Sequence, residues 1–156
     1  MKRRRYALFF VFGLFLTFFA TAQRIEATLG ESVNTVQSDR KVLSGVRGAT
    51  TAHNCYSVHE FESNSTTVRE YVSPEGIVFG LAWQGLVEPD LTQLLGNYAE
   101  EYRQAVRKAH HRRGSRRSRV KTDQIVVEKW GHMRSLQGRA YVPDLIPPGV
   151  SVDEIR

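Results

Sequence analysis

The stretch Thr66-Thr67-Val68-Arg69-Glu70-Tyr71-Val72-Ser73-Pro74-Glu75-Gly76-Ile77-Val78-Phe79-Gly80-Leu81-Ala82-Trp83-Gln84 decides the fold class. From Thr66 to Ser73, Val68, Glu70 and Val72 alternate with Thr67, Arg69 and Tyr71, the period-two pattern of a strand with two unlike faces. Pro74-Glu75-Gly76 predicts a turn, with proline preset for the first corner and glycine for the corner that needs positive φ. Ile77 to Gln84 places Ile77, Phe79, Leu81 and Trp83 on one face and Val78, Gly80 and Ala82 on the other. So apolar a run reads as a central strand covered on at least one side.

Upstream, Asn54 to Glu62 alternates as well, with Cys55, Ser57, His59 and Phe61 opposing Tyr56, Val58 and Glu60, and Ser63-Asn64-Ser65 forms the turn into the next strand. The three runs make an antiparallel meander. Downstream, Asp90 is an N-cap with Gln93 at the capping-box position. Leu91, Leu94, Leu95, Tyr98, Tyr102 and Val106 follow at helical spacing, a stripe that packs on the sheet. Gly96 lies inside that stripe and marks a kink or a close approach. Asp123 to Trp130 and His132 to Val142 read as two further strands, and the tail with Pro143 and Pro147-Pro148 as a surface segment. Before the meander, Val33, Val36 and Leu43 suit one helix from about Glu31 to Leu43, and Ser44-Gly45 and Gly48-Ala49-Thr50-Thr51 suit a loop. The expected fold is α+β, an antiparallel meander with helices packed on one face in the order α-β-β-β-α-β-β.

Of 156 residues, 22 are Lys or Arg and 16 are Asp or Glu, but the excess is uneven. Residues 1–22 hold Lys2, Arg3, Arg4 and Arg5, no acid, an apolar run from Tyr6 to Phe19, and Ala20-Thr21-Ala22. This is the pattern of a signal peptide cleaved after Ala22, the alternative being an uncleaved membrane anchor. Residues 23–156 then form a single domain, too small for a multidomain enzyme. Cys55 has no cysteine partner in the chain, which excludes a disulfide scaffold and a zinc site built on cysteines. Its expected place is in the core, as a small apolar side chain.

The chemistry sought is largely absent. His59-Glu60 lacks the second histidine four residues on that a zinc protease needs, and no P-loop, dinucleotide fingerprint or serine elbow occurs. No metal or cofactor is expected. Glu60, Glu62, Arg69, Glu70 and Glu75 suit cross-strand ion pairs of about 0.2–1 kcal/mol. Trp83 and Trp130 have the shape to stack on a sugar or aromatic ligand, but in a chain this short of large apolar residues the core is their expected place. From Arg103 to Lys121 nine basic residues occur without an acid, and the span from about 107 to 121 reads as a flexible, solvated segment. Within it, Arg112, Arg113, Arg116, Arg117 and Arg119 are candidates for contact with an anionic lipid or polymer. Sequence-specific nucleic acid is disfavoured, because no aromatic residue lies between Tyr102 and Trp130 for base stacking.

The segments Val68 to Phe79, Trp83-Gln84-Gly85, Pro89-Asp90-Leu91, Leu94-Leu95-Gly96, Gly131-His132-Met133 and Gly138 to Pro143 together resemble the bacterial secreted family named domain of unknown function 2844. The resemblance spans about Thr28 to Arg156; the basic stretch after Val106 departs from the family pattern. It implies an exported proteobacterial protein, of the periplasm or beyond, and supplies no activity. Carried over by position, the residues most able to do more than pack are Arg69, Glu70, Tyr71, Trp83, Asp90 and His132. The leading expectation is a non-enzymatic envelope module that binds an envelope protein or small ligand, with Arg69, Tyr71 and Trp83 lining its exposed face. The alternatives are a small enzyme using His132 with Glu70 or Asp90, or an anionic-surface binder acting through Arg112 to Arg119. N-terminal sequencing of the protein recovered from an exporting bacterium should begin at Gln23; a start at Met1 would favour the anchor.

Overall fold

Seven strands of alternating register pair side by side in the computed structural model, which describes residues 29–32, 46–63, 65–109 and 117–156. In chain order they are β1 (Val46–Ala52), β2 (Ser57–Ser63), β3 (Thr66–Val72), β4 (Val78–Gly85), β5 (Ser118–Lys121), β6 (Val126–His132) and β7 (Ser135–Tyr141). Between β4 and β5 lie α1 (Leu91–Leu95), a single 3₁₀ turn (Gly96–Tyr98) and α2 (Ala99–Lys108). The sheet order is β1-β2-β3-β4-β7-β6-β5, antiparallel throughout. The helical segment therefore carries the chain from β4 in mid-sheet to the far edge, and β5, β6 and β7 meander back to β4.

The α+β class holds, but the order does not match the expected one. Among the described residues four strands precede the helices and three follow. The expected loop at Gly48–Thr51 is instead part of β1, where Thr50 and Thr51 pair with His59 and Val58 and the register shifts between Arg47 and Thr50. Gly48 thus sits at a bulge, a place glycine favours within a strand. The helix expected over about 31–43 falls mostly outside the described residues; Ser32 bridges Ile77 in extended backbone. At the two ends of the basic stretch Lys108 belongs to α2 and Ser118–Lys121 to β5; 110–116, with Arg112, Arg113 and Arg116, lie outside the described residues.

The turn predicted at Pro74-Glu75-Gly76 forms, while Asn64 of the other lies outside the described residues. Gly76 has φ 81° and its N–H donates to Ser73 O at 2.9 Å. Asp90 caps α1, its Oδ1 accepting from Thr92 N at 2.8 Å. At Gly96 the backbone turns to φ 46° and breaks the helix, which lets Leu91, Leu94 and Leu95 pack from one piece and Ala99 and Tyr102 from the next.

Face assignment along β4 departs from simple alternation. A bulge against Tyr71 and Val72 inserts one residue, so Tyr71 faces Gly80 and Val72 faces Val78. Phe79 therefore joins Ala82 on one side, while Val78, Leu81 and Trp83 share the other, rather than Phe79 following Leu81 and Trp83. An extra residue reverses the facing of everything before it. Both faces of the sheet are apolar as a result. The helices cover one, over Phe61, Val68, Leu81, Trp83, Val127 and Ala140. The C-terminal segment covers part of the other, packing Ile155 among Tyr56, Tyr71, Phe79, Ala82, Val126 and Tyr141. The proline-containing tail is thus a layer of the core, with Ile155 0% exposed.

Trp83 reaches across β7 on the helix side, and Gly138 leaves the room for it. A Cβ at 138 would stand 2.2 Å from Trp83 Cζ2 and 2.8 Å from Glu128 O. Gly138→Ala is expected to cost about 1–3 kcal/mol through overpacking, read as a lower urea midpoint at unchanged m-value.

Candidate functional site

On the tail-side face, strand register places side chains in transverse rows. Gly80 of β4, Tyr141 of β7 and Val126 of β6 form one row, flanked by Tyr71 of β3. Ile155 seats here, its Cδ1 2.9 Å from where a Gly80 Cβ would stand. The next row runs Glu60, Arg69, Ala82, Arg139, Glu128 and Arg119 from β2 to β5. The third runs Glu62, Thr67, Gln84, Gln137 and Trp130.

Arg139 is the hub of the middle row. Its Nε donates to Glu128 Oε2 at 2.6 Å, and Nη1 donates to Val152 O at 2.8 Å and lies 3.6 Å from Asp153 Oδ1. The guanidinium also lies over the Trp130 and Tyr141 rings, 5.9 Å from each centroid. With a side chain only 16% exposed, this charge-assisted set binds tail to sheet more strongly than a surface pair does. Glu128 also receives Arg119 Nε at 3.1 Å. At the other end Arg69 Nε donates to Glu60 Oε2 at 2.8 Å and Nη1 to Arg156 O at 3.3 Å. Tyr71 OH donates to Arg156 O at 2.8 Å and accepts from Arg156 N at 3.0 Å.

Three adjoining hollows open along these rows. The largest, about 670 Å³, lies between β5, β6 and the tail and is lined by Arg117, Arg119, Glu128, Trp130, Arg139 and Arg156, among others. A second, about 380 Å³, lies over Gln84, Gln137 and Trp130 and is bounded by Arg69 and Arg156. A third, about 430 Å³, is walled by His53, Tyr56, Tyr71, Arg69 and Glu154. Shared walls make them one groove: Trp130 separates the first two, and Arg69 and Arg156 the last two. The largest hollow is basic, with Arg117, Arg119, Arg139 and Arg156 against Glu128 and Asp153 on this face.

The expected site residues do not converge. Arg69 and Tyr71 are on the tail-side face and hold Arg156. Trp83 borders the second hollow with Arg69, but at 3% exposed its side chain packs in the helix-side core. Glu70, 0% exposed, lies on the helix side between Val68 and Val72 and opposite His59. Asp90 caps α1. His132 is exposed at the end of β6. Strand geometry puts it five residues and three strands from the Glu70 row, on the order of 20 Å. None of the described hydrogen bonds or ion pairs joins His132 to Glu70 or Asp90. No group of three or more His, Cys, Asp or Glu suited to a metal occurs among the described residues. Cys55 is exposed rather than buried, because β2 starts at Ser57 and Cys55 occupies the preceding turn, where His53 N donates to Tyr56 O.

Arg139, Gln84 and Gln137 carry no site signal in the sequence, and Trp130 reads there as core. Alternation with Lys129 places Glu128 and Trp130 on one side of β6, but only the β4–β7–β6 register sets Glu128 opposite Arg139 and Trp130 in line with Gln137 and Gln84.

This arrangement defines a small α+β domain whose second sheet face, half covered by a tail, carries a basic groove. The chain belongs to the family described as protein of unknown function (DUF2844), whose model matches residues 25–155. No curated protein and no solved structure matches it.

The tail is also held by titratable groups. Tyr56 OH donates to Glu154 Oε2 at 2.9 Å, with His53 stacked on the Tyr56 ring. Burial, and then the bond to the Glu154 carboxylate, pushes Tyr56 up from 10.0 to about 12. The Ser151 N–H and then Tyr56 hold Glu154 below its usual range. The folded state therefore keeps the Tyr56 proton after an unfolded chain has released it. Its stabilisation is full below about pH 10 and is lost as the pH climbs towards 12, whereas that from Glu154 is present above the ordinary carboxylate range and lost as the pH falls through it. The stability gap between wild type and Tyr56→Phe should be constant from about pH 6 to 9 and shrink above about pH 10, measured by urea unfolding at each pH.

Proposed function

We propose that this protein is a non-enzymatic binding module of the bacterial envelope, exported by its leader, and that the groove beside the tail receives an anionic partner. The observation that carries this reading is the placement of Arg117, Arg119, Arg139 and Arg156 around one hollow with the half-buried Trp130. Guanidinium groups pair with carboxylate or phosphate through a fixed fork, and an adjacent indole adds apolar contact. Arg119 is well exposed even while touching Glu128, so an incoming anion can engage it without first unfolding the tail. The basic stretch contributes Arg117 and Arg119, which makes the groove a concave counterpart to the anionic-surface contact expected from Arg112 to Arg119.

The enzymatic alternative is weaker. His132 lacks a carboxylate partner in the described bonding, and Glu70 is enclosed in the opposite core. A hydrolytic or proton-transfer site needs an acid or base within hydrogen-bond reach of its partner. No described helix is long and apolar enough to cross a membrane, so any attachment to a lipid surface through the described residues would be by contact.

The test is titration of intrinsic tryptophan fluorescence with two polyanions of unrelated backbone, dextran sulfate and poly-L-glutamate, against neutral dextran. At least one polyanion should bind, with affinity falling steeply as salt rises, and Arg119→Ala should weaken it about three- to tenfold, the loss of about one charge-assisted contact. His132→Ala should leave it unchanged. Failure of both polyanions at low salt would remove this reading.

A further inference from the structure

The row left open by the tail differs in character from the arginine row beside it. Gln84, Gln137 and Trp130 stand opposite one another on the adjacent strands β4, β7 and β6. Trp130 Nε1 donates to Gln137 Oε1 at 2.8 Å, and Gln137 Nε2 donates to Ser135 Oγ at 3.2 Å. These bonds fix the Gln137 amide and the plane of the indole. Gln84 is exposed and Trp130 half-buried, so the row presents an aromatic plane next to amides that both donate and accept. Alongside it, one row nearer the tail, lie Arg69, Arg139 and Arg119, with Arg156 above them.

We infer that the groove binds an acidic saccharide chain, with the indole of Trp130 under a sugar ring, the amides of Gln84 and Gln137 on its hydroxyls, and Arg119 and Arg156 on its acid groups. This rests on the proposed anion-binding role and specifies the ligand. Three features favour a sugar over an acidic peptide. The row runs across the strands in mid-sheet, where backbone groups are already paired by the ladder, so an extended peptide finds no strand edge to join. A hydroxyl is both donor and acceptor, as an amide is, whereas a peptide carboxylate only accepts and would leave the amide carbonyls unmatched. The indole has its polar edge bonded to Gln137 and Arg139 5.9 Å from its centroid, and its remaining apolar surface suits the C–H side of a pyranose ring.

Charge is consistent with this. Glu60 and Glu128 neutralise Arg69 and Arg139 within the middle row, and Glu62 and Asp153 add negative charge at the margins. Toward β5 and the tail, Arg119, which shares Glu128 with Arg139, and Arg156 present exposed guanidinium groups. The three adjoining hollows share walls and follow one another across the face, which suits several linked rings better than a single small anion.

The experiment compares calorimetric binding of a galacturonic acid hexamer, its methyl ester, dextran sulfate and poly-L-glutamate to the purified full chain. The acid hexamer or dextran sulfate should bind at least tenfold more tightly than poly-L-glutamate, and the hexamer at least tenfold more tightly than its ester. If the hexamer binds, the recognised acid is a carboxylate; if only dextran sulfate binds, it is a sulfate ester. Gln84→Ala, at an exposed site, should weaken the saccharide by about threefold or more and leave poly-L-glutamate unchanged, and Trp130→Phe should keep part of the affinity that Trp130→Ala loses. Poly-L-glutamate binding as tightly as the saccharides would overturn the sugar assignment and leave the anion groove standing. An ester as tight as the acid, with no gain from sulfate, would also overturn it. Binding of no polyanion would sink both.

Discussion

The seating of Ile155 on Gly80 is the contact on which the second face of the sheet depends. An eight-residue strand in mid-sheet with apolar side chains on both sides cannot be left half wet; Tyr71, Phe79, Ala82, Val126 and Tyr141 together would form an exposed patch of the kind soluble domains avoid. Among the described residues the α-helical layer is α1 and α2, and both are committed to the other face. The tail supplies the missing layer, and glycine at position 80 makes the notch into which the isoleucine drops. Polar clamps then hold it in register: Arg139 on Val152 and Asp153, Tyr56 on Glu154, and Tyr71 on both backbone groups of Arg156.

That covering shapes the groove. The tail lies over the Gly80 row and the aromatic cluster beside it, and its clamps draw Arg139 and Arg69 toward it. The Gln84 row stays open, so the transition from covered to uncovered sheet becomes a step walled by guanidinium groups. Burial of Trp83 on the opposite face, made possible by Gly138, keeps β4 and β7 close and the Gln84–Gln137 pair aligned. Packing on one side thus positions polar groups on the other.

Much of the fold was legible because its signals are local. Alternation in Thr66 to Ser73, the Pro74-Glu75-Gly76 turn, the Asp90 cap and the leucine–tyrosine stripe each depend on a few neighbouring residues, and each forms as read. The break at Gly96 follows from the same local logic. Three positions depart from the local reading. Gly48 signalled a loop because glycine disfavours strands, yet ladder pairing with β2 outweighs that preference and uses the glycine at a bulge. Phe79 was grouped with Leu81 because alternation assumes an unbroken register. Cys55 was expected in the core on residue type alone, although it precedes the strand that would have carried it there.

The candidate site was less visible. Arg69 and Tyr71 were singled out and lie at the groove, but Trp83 and Glu70 lie behind the sheet and His132 and Asp90 stand apart. Period-two and period-3.6 patterns establish which residues share a side of one element, because backbone geometry alone sets that. In this chain they determined a β meander, a capped helix and the kinds of side chain each would present. They contain no information on which strands become neighbours far along the chain. That the last strand returns to β4, that the tail covers part of the second face, and that Trp130 and Gln84 flank Gln137 while Arg119 and Arg139 share Glu128 were decided by long-range pairing and by the need to bury apolar side chains on both faces of the sheet.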